Sequence, residues 1–431
     1  MADHAYALPL HLTAATLLRI SAEGLATALV LTVQARTGDA ATAGFLQTAM
    51  TLPYVLSGPV IGHALDRTRR PGRFVAAVAA GYAVAMAALL TIAGDAPLYA
   101  ALAVALVIGL TEPVVVAVTG LLPRFVPADR LPRAYGLEAA SYNVAAITGP
   151  ALAATIATAT AADFSGLPVM AGALLGALAL VFLPAPGPAA MPARPKRAAH
   201  ASAHDTGAPA PPRPVRPDDR APERTGALLG GAQVLLRNRV LRGLTLATTF
   251  ASVGLGGIAV TTVLLGRRLG GDEASGGRLL VALAAGSLLG SLLSSRLLTA
   301  RYAEPVMLGG LVAFGTALAS LAVVPDILWA TVACAAAGLF EGPAFAATLM
   351  LRQREAPPGR LGQVNTTAGS LKIGASAIGA ALTGALAERV GPFVLIAGIG
   401  AFPLIGVVAG LLVLRGQSLG RRYEPTLEGE A

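Results

Sequence analysis

Long apolar runs alternate with short polar loops along almost the whole chain. A run of roughly 20 apolar residues can cross a hydrocarbon core as a helix, because a helix satisfies its own backbone hydrogen bonds. Six such runs occupy 10–33, 40–65, 74–93, 97–122, 135–161 and 167–183, and six more occupy 241–265, 277–298, 305–324, 327–350, 361–386 and 393–414. The pattern predicts an all-α integral membrane protein with twelve transmembrane helices. Between the sets, a stretch crowded with Pro, Arg, Ala and acidic residues cannot bury enough apolar surface to fold. It divides the chain into a six-helix half at 1–185, a flexible linker at 186–225 and a second six-helix half at 226–431. At the start of the second half Leu228, Ala232, Leu235 and Leu236 share one helical face, which predicts a short helix lying on the membrane surface.

The polar loops set the orientation. Between the second and third runs, Arg67, Arg69, Arg70 and Arg73 crowd one loop, and short loops rich in Lys and Arg stay on the cytoplasmic side. With both termini cytoplasmic, only Arg36, Arg267, Arg268, Arg278 and Arg389 of the 32 basic residues fall outside, while Arg19 and Lys372 lie within spans. Trp329 then stands at an outer interface. The first run contains Arg19 and Glu23 and exceeds the length of a signal-peptide core, so it reads as a retained span. The expected location is the plasma or inner membrane.

The two halves also repeat. Gly109-Leu110-Thr111-Glu112-Pro113 echoes Gly338-Leu339-Phe340-Glu341-Gly342-Pro343, and Arg124, Pro127, Arg130, Leu131 and Gly149 match Arg354, Pro357, Arg360, Leu361 and Gly379. Matches that continue through a polar loop indicate duplication into two six-helix pseudo-repeats. Parallel repeats of this kind are the arrangement of transporters that hold substrate between their halves.

Composition narrows the function. The chain is 55% hydrophobic and 13% charged, against about 25% charged in soluble proteins. A net charge of +9 would suit nucleic acid, but the arginines sit in loops between spans, so topology explains them and no nucleic-acid partner is expected. Cys334 is the only cysteine, and the five histidines lack metal-site or catalytic spacing, so neither a metal nor a cofactor is predicted. Neither Lys196 nor Lys372 ends a Gly-rich phosphate loop, which leaves no ATP motor. An enzyme is not expected, and the chain reads as a monomer working in the bilayer on protons and a small-molecule substrate.

Charges inside spans cost about 2.5–3.5 kcal/mol on insertion scales and are by default paired or functional. Thr16, Arg19, Glu23 and Thr27 form a polar stripe in the first span, where Arg19 and Glu23, one turn apart, can pair. Glu112 and Glu341 occupy equivalent positions with no cation one turn away. With Glu23 they are the candidate proton carriers, unless a neighbouring helix or backbone loosened at Pro113 and Pro343 satisfies them. Tyr135, Glu138 and Tyr142 share a face of the fifth span, with Glu138 near enough to the cytoplasmic end to reach water. In the eleventh span Asn365, Gly369, Lys372, Ser376, Gly379 and Thr383 combine polar with small residues. Lys372 can pair with Glu341, attract an anionic substrate, or lock helices together. Tyr142, Asn365, Lys372 and Ser376 join Thr16, Arg19 and Thr27 as candidate cavity-lining residues.

The loop formed by Gly62, Asp66, Arg67 and Arg70 resembles that between the second and third spans of the major facilitator superfamily, with Arg69 where a second glycine is expected. Asp-Arg-x-x-Arg-Arg, Leu122-Pro123-Arg124-Phe125-Val126-Pro127, the Arg130-Leu131 and Ala134 that follow, and Gly149-Pro150 are similar to the branch that exports macrolides and enterobactin. The resemblance implies that Asp66 and neighbouring arginines form a cytoplasmic charge network holding the halves together in the outward-open state, and that Gly149 and Pro150 belong to the same conformational gate. The second half has lost the motif, since Gly62, Asp66 and Arg67 align with Ser295, Thr299 and Ala300. The combined expectation is a secondary active transporter that exports a small amphipathic compound by proton antiport. The alternatives are proton-coupled uptake and a non-transporting sensor or scaffold.

Overall fold

The computed structural model describes residues 6–38, 40–183, 226–271, 273–387 and 389–415. The expected linker at 186–225 lies wholly outside them. Every regular element among the described residues is helical. The first half contains α1 (Ala7–Thr37), α2 (Ala40–Arg67), α3 (Pro71–Ile92), α4 (Leu98–Thr111), α5 (Val114–Ala117), α6 (Leu131–Ala159) and α7 (Leu167–Val181). The second contains α8 (Leu229–Arg237), α9 (Arg239–Gly256), α10 (Ile258–Gly270), α11 (Glu273–Leu297), α12 (Ala303–Ser320), α13 (Ile327–Glu355), α14 (Leu361–Leu386) and α15 (Pro392–Arg415).

Local chemistry sets the helix ends. The side chain of Asp326 accepts from the backbone N–H of Leu328 and Trp329 at the start of α13, and Asn238 accepts from Leu241 at the start of α9, each supplying an acceptor that the first turn lacks. Pro71 opens α3, where its missing N–H costs nothing. Gly38 closes α1 at φ 70°.

Among the described residues nine helical stretches are long and apolar enough to cross a membrane, or ten with α9 and α10 taken as one span bent by 44°. The other two predicted spans are α2 and α6, with 28 and 29 residues. They are more polar, with Gln47, Thr51 and Asp66 in α2 and Arg133, Glu138 and Asn143 in α6. Both lie at the boundary between the halves, where α2 packs on α14 and α6 on α11, so one face of each meets protein or cavity instead of lipid. The fourth predicted span breaks at Pro113 into α4, α5 and a 3-10 stretch at 118–124. Its counterpart α13 runs unbroken through Pro343, so the span breaks in one half only.

The halves touch at one end. Residues 54–66 of α2 lie against 362–374 of α14, and 136–143 of α6 against 291–296 of α11. This is the end carrying the arginine loop, and a core cluster that includes Leu122, Tyr135, Leu244, Met350 and Val364 crosses the boundary there. Separate cores fill the far ends of the two halves, around Leu29, Tyr82 and Met86 in one and Leu265, Phe314 and Ile396 in the other. The short α8 packs on α14 and α9 and buries Gly230, Gly231, Val234 and Leu235. The face anticipated from sequence is therefore rotated, because Leu228 and Leu236 stay exposed.

Candidate functional site

The first-half wall of the site is a buried ion cluster. Arg19 is 1% exposed and Glu138 fully buried. The Nη2 of Arg19 donates to Glu138 Oε1 at 2.5 Å and to Thr119 Oγ1 at 3.0 Å, and its Nη1 donates to Ser141 Oγ. Thr119 in turn donates to Glu138 at 2.8 Å, and His11 Nε2 lies 3.2 Å from Glu138 Oε2. Three elements therefore converge on one carboxylate: α1, the 3-10 stretch after α5, and α6. Arg19 thus pairs across helices with Glu138 and not with Glu23 one turn along its own. Glu138 does not reach water, because the closed end of the bundle covers it.

An aromatic pair carries this cluster across the boundary. The Arg19 guanidinium carbon stands 3.6 Å from the centroid of the Tyr142 ring. Tyr142 of α6 meets Phe345 of α13 edge-on, with centroids 5.2 Å apart. Lys372 Nζ lies 4.8 Å from the Phe345 ring centroid. Each cation–π contact contributes about 0.5–2 kcal/mol, depending on how dry it is, and the pair of rings about 0.5–1.5 kcal/mol. A cation from each half thus flanks an aromatic pair that joins the halves. Close by, Asn143 donates to Ser291 across the same boundary at 3.1 Å.

In the second-half wall, Glu341 and Lys372 line one small cavity with Thr248, Ser252 and Phe345. Glu341 accepts from the Ser287 hydroxyl of α11, so a neighbouring helix meets part of its need. Arg352, two turns beyond Phe345, is 3% exposed, and its Nε and Nη2 are buried without a hydrogen-bond partner.

The remaining carboxyls face open space. Glu112 lines a cavity of about 190 Å³ with Gln47, Thr51, Tyr54 and Ile373. Glu23 is exposed and close enough to Glu112 for their charges to interact. Neither side chain has a hydrogen bond or an ion pair among the described residues. Gly149 sets this geometry, because a Cβ there would lie 2.6 Å from the Ile20 carbonyl and 3.1 Å from Glu23 Cβ. It lets α1 and α6 touch beside Glu23, and Pro150 follows within the unbroken α6. Of the other stripe residues, Thr16 donates to Leu12 at 2.6 Å, and Thr27 and Ser376 are partly buried. Asn365 is 2% exposed with its Oδ1 unpartnered.

Asp66 and Gly62 sit at the contact between the halves. Asp66 accepts from the backbone N–H of Gly362 at 2.9 Å and of Gln363 at 2.8 Å, so it caps the first turn of α14 from the other half. A carboxylate there satisfies orphan donors and meets the positive end of the helix dipole. Gly62 is one turn earlier, and a Cβ on it would run into Thr366 Oγ1, Gly362 O and Gln363 Cα. The cations acting on Asp66 are Arg124 and Arg360. Arg67 borders the contact with His63 and Gln363. Arg70 points instead to a separate cavity with Arg69 and Arg73.

Sequence reasoning gave Glu138 too little weight and passed over His11, Thr119, Ser141, Ser287, Phe345 and Arg352. Some signal was present, since Ser141 and Tyr142 follow Glu138 by about one turn and Phe345 follows Glu341 by one turn. For Arg352 there was none, because an arginine ending a span reads as a loop cation.

Comparison with known proteins agrees with the fold. The chain is 27% identical over 412 residues to an uncharacterized MFS-type transporter, y4rN, of Sinorhizobium fredii, covering 90% of each chain. Among solved structures, it resembles the human organic anion transporter MFSD10 with a TM-score of 0.74 at 13% identity, covering 95% of this chain and 100% of that one. It also resembles the proton:xylose symporter XylE with a TM-score of 0.69 at 12% identity and 96% of each chain. The sequence pattern of the Major Facilitator Superfamily matches residues 12–372. The chain is therefore a multi-pass membrane protein that belongs to the major facilitator superfamily and works as a secondary transporter of small molecules.

Proposed function

We propose that this transporter exports a small amphipathic compound in exchange for protons, with the arginine loop and both termini in the cytoplasm. The observation that carries the reading is the separation of two kinds of intramembrane carboxyl. Glu138 is committed to Arg19 and His11, whereas Glu112 lines a cavity and Glu23 is exposed close to it, neither with a cation partner among the described residues. A carboxyl free of a fixed counter-ion can gain and lose a proton as the cavity changes sides. Glu341, held by Ser287 beside Lys372, is the third candidate carrier. Substrate would sit between α1, α4, α13 and α14, against the Tyr142–Phe345 pair, whose rings suit an apolar body. The exporter-like loop at Asp66–Arg67 supports the outward direction.

Proteoliposomes of known orientation, loaded with a panel of amphipathic compounds and given a pH gradient, test this reading. Export accelerated by protons supplied from the opposite side supports antiport. Concentrative movement of compound in the same direction as the protons would replace it with symport, and gradient-independent equilibration would remove proton coupling.

A further inference from the structure

Asp66 and Gly62 of the loop motif take part in the contact with α14, and Arg67 borders it. Arg69, Arg70 and Arg73 turn elsewhere. With Arg124 they line a cavity of about 330 Å³ at the loop end of the first half, between the start of α3, the end of the 3-10 stretch and the end of α7. No acidic side chain lines it, and no ion pair to these three arginines occurs among the described residues. The rest of the wall is apolar, formed by residues such as Leu121 and Val181, and Val181 is 55% exposed. The first turn of α3, which is 22 residues long, also borders the cavity through Pro71 and Gly72, so backbone N–H groups at the positive end of a helix dipole lie beside the guanidinium groups.

Four guanidinium groups at the loop end of the first half, beside an apolar wall with an exposed edge at Val181, form a site with two chemical requirements. The charged part asks for an oxyanion with several acceptors, which guanidinium groups bind bidentately. The apolar part asks for a chain attached to it. Basic pockets between transmembrane helices on the cytoplasmic side meet both requirements with lipid head groups. We propose that this cavity binds the phosphate of an anionic phospholipid, held by Arg69, Arg70 and Arg73 with Arg124 behind them, its acyl chain leaving past Val181. The site is separate from the transport cavity and does not depend on the direction or coupling of transport.

Native mass spectrometry of the full-length protein in detergent provides the test. The probes are phosphatidylglycerol, phosphatidylcholine with the same acyl chains, and millimolar inorganic phosphate as competitor. Each arginine near an anionic lipid contributes about five-fold in affinity, so a variant carrying Arg69→Gln, Arg70→Gln and Arg73→Gln should retain phosphatidylglycerol on the order of a hundred-fold less well. Arg301→Gln, a cation at the same end of the other half, should retain it as the parent does. Because removing loop arginines can disturb insertion, Gly72→Leu serves as a second variant. It keeps every charge, and a Cβ at Gly72 has only Leu180 O and Leu183 Cβ near it, at 3.8 and 3.9 Å, so the larger side chain fits the backbone and fills the cavity. Loss of phosphatidylglycerol in both variants, with weak phosphatidylcholine binding and no displacement by inorganic phosphate, supports the proposal. Equal retention of the two lipids, unchanged retention in Gly72→Leu, or displacement by free phosphate would overturn it, the last pointing to a soluble anion.

Discussion

Asp66→Asn isolates the contact that joins α2 to α14 at the loop end. In the parent the carboxylate accepts two backbone hydrogen bonds from the first turn of α14, at 2.9 and 2.8 Å. Hydrogen bonds to a charged group are worth about 1.5–3 kcal/mol each, and charge at a helix N-terminus about 0.3–1 kcal/mol at an exposed site and up to 2 when partly buried. An asparagine keeps one acceptor oxygen and the shape but loses the charge and one bond. The net loss is about 2–3 kcal/mol, and it falls only on the state in which the halves meet at the loop end. At about 1.4 kcal/mol per factor of ten, the ratio of loop-end-closed to loop-end-open molecules should fall by roughly 30- to 150-fold. Cys334 is buried, so a Cys334→Ala background accepts spin labels at Thr68→Cys and Pro357→Cys, one on each side of the contact. Pulsed electron paramagnetic resonance should give one short distance in the parent and a second, longer population in Asp66→Asn. Identical distance distributions in two well-folded proteins would refute the assignment of Asp66 as a latch.

Two further outcomes follow from the packing. Arg19→Met leaves the buried Glu138 with Thr119 and His11 but without its arginine, and losing one partner of a buried pair costs about 3–5 kcal/mol; thermal unfolding in detergent should drop sharply and recover in Arg19→Met/Glu138→Gln, and a double variant no more stable than the single would argue against the pairing. Gly62→Leu places a side chain where Thr366, Gly362 and Gln363 already are, so the same spin labels should report a separated loop end, whereas an unchanged short distance would show that the contact tolerates the wedge.

Much of the fold was legible because lipid imposes a simple pattern: a spanning helix must be long and apolar wherever it meets hydrocarbon. α2 and α6 met that rule only in part, since their polar faces turn to the other half. The site was less legible, because its partners are distant in sequence. Arg19 has Glu23 one turn away, yet it pairs with Glu138 from another helix, and only packing decides between them. Glu138 was read as reaching water because depth was judged from the nearest loop, while closure of the halves over that loop dries it. Gly62 and Asp66 stood out by their residue types, and both lie at the contact with α14. Their partner is the backbone at the start of α14, and a backbone donor leaves no mark in a sequence. The repeat misled at Pro343, where α13, packed on α11, stays one continuous helix.

The claim most open to a single measurement is that the carboxyls facing the transport cavity carry the proton. Substrate-dependent proton movement, followed with a pH dye inside proteoliposomes, should be present in the parent and in Glu138→Asp but lost in the triple variant Glu23→Gln/Glu112→Gln/Glu341→Gln, which should still bind substrate. Undiminished proton movement in that triple variant would contradict the account.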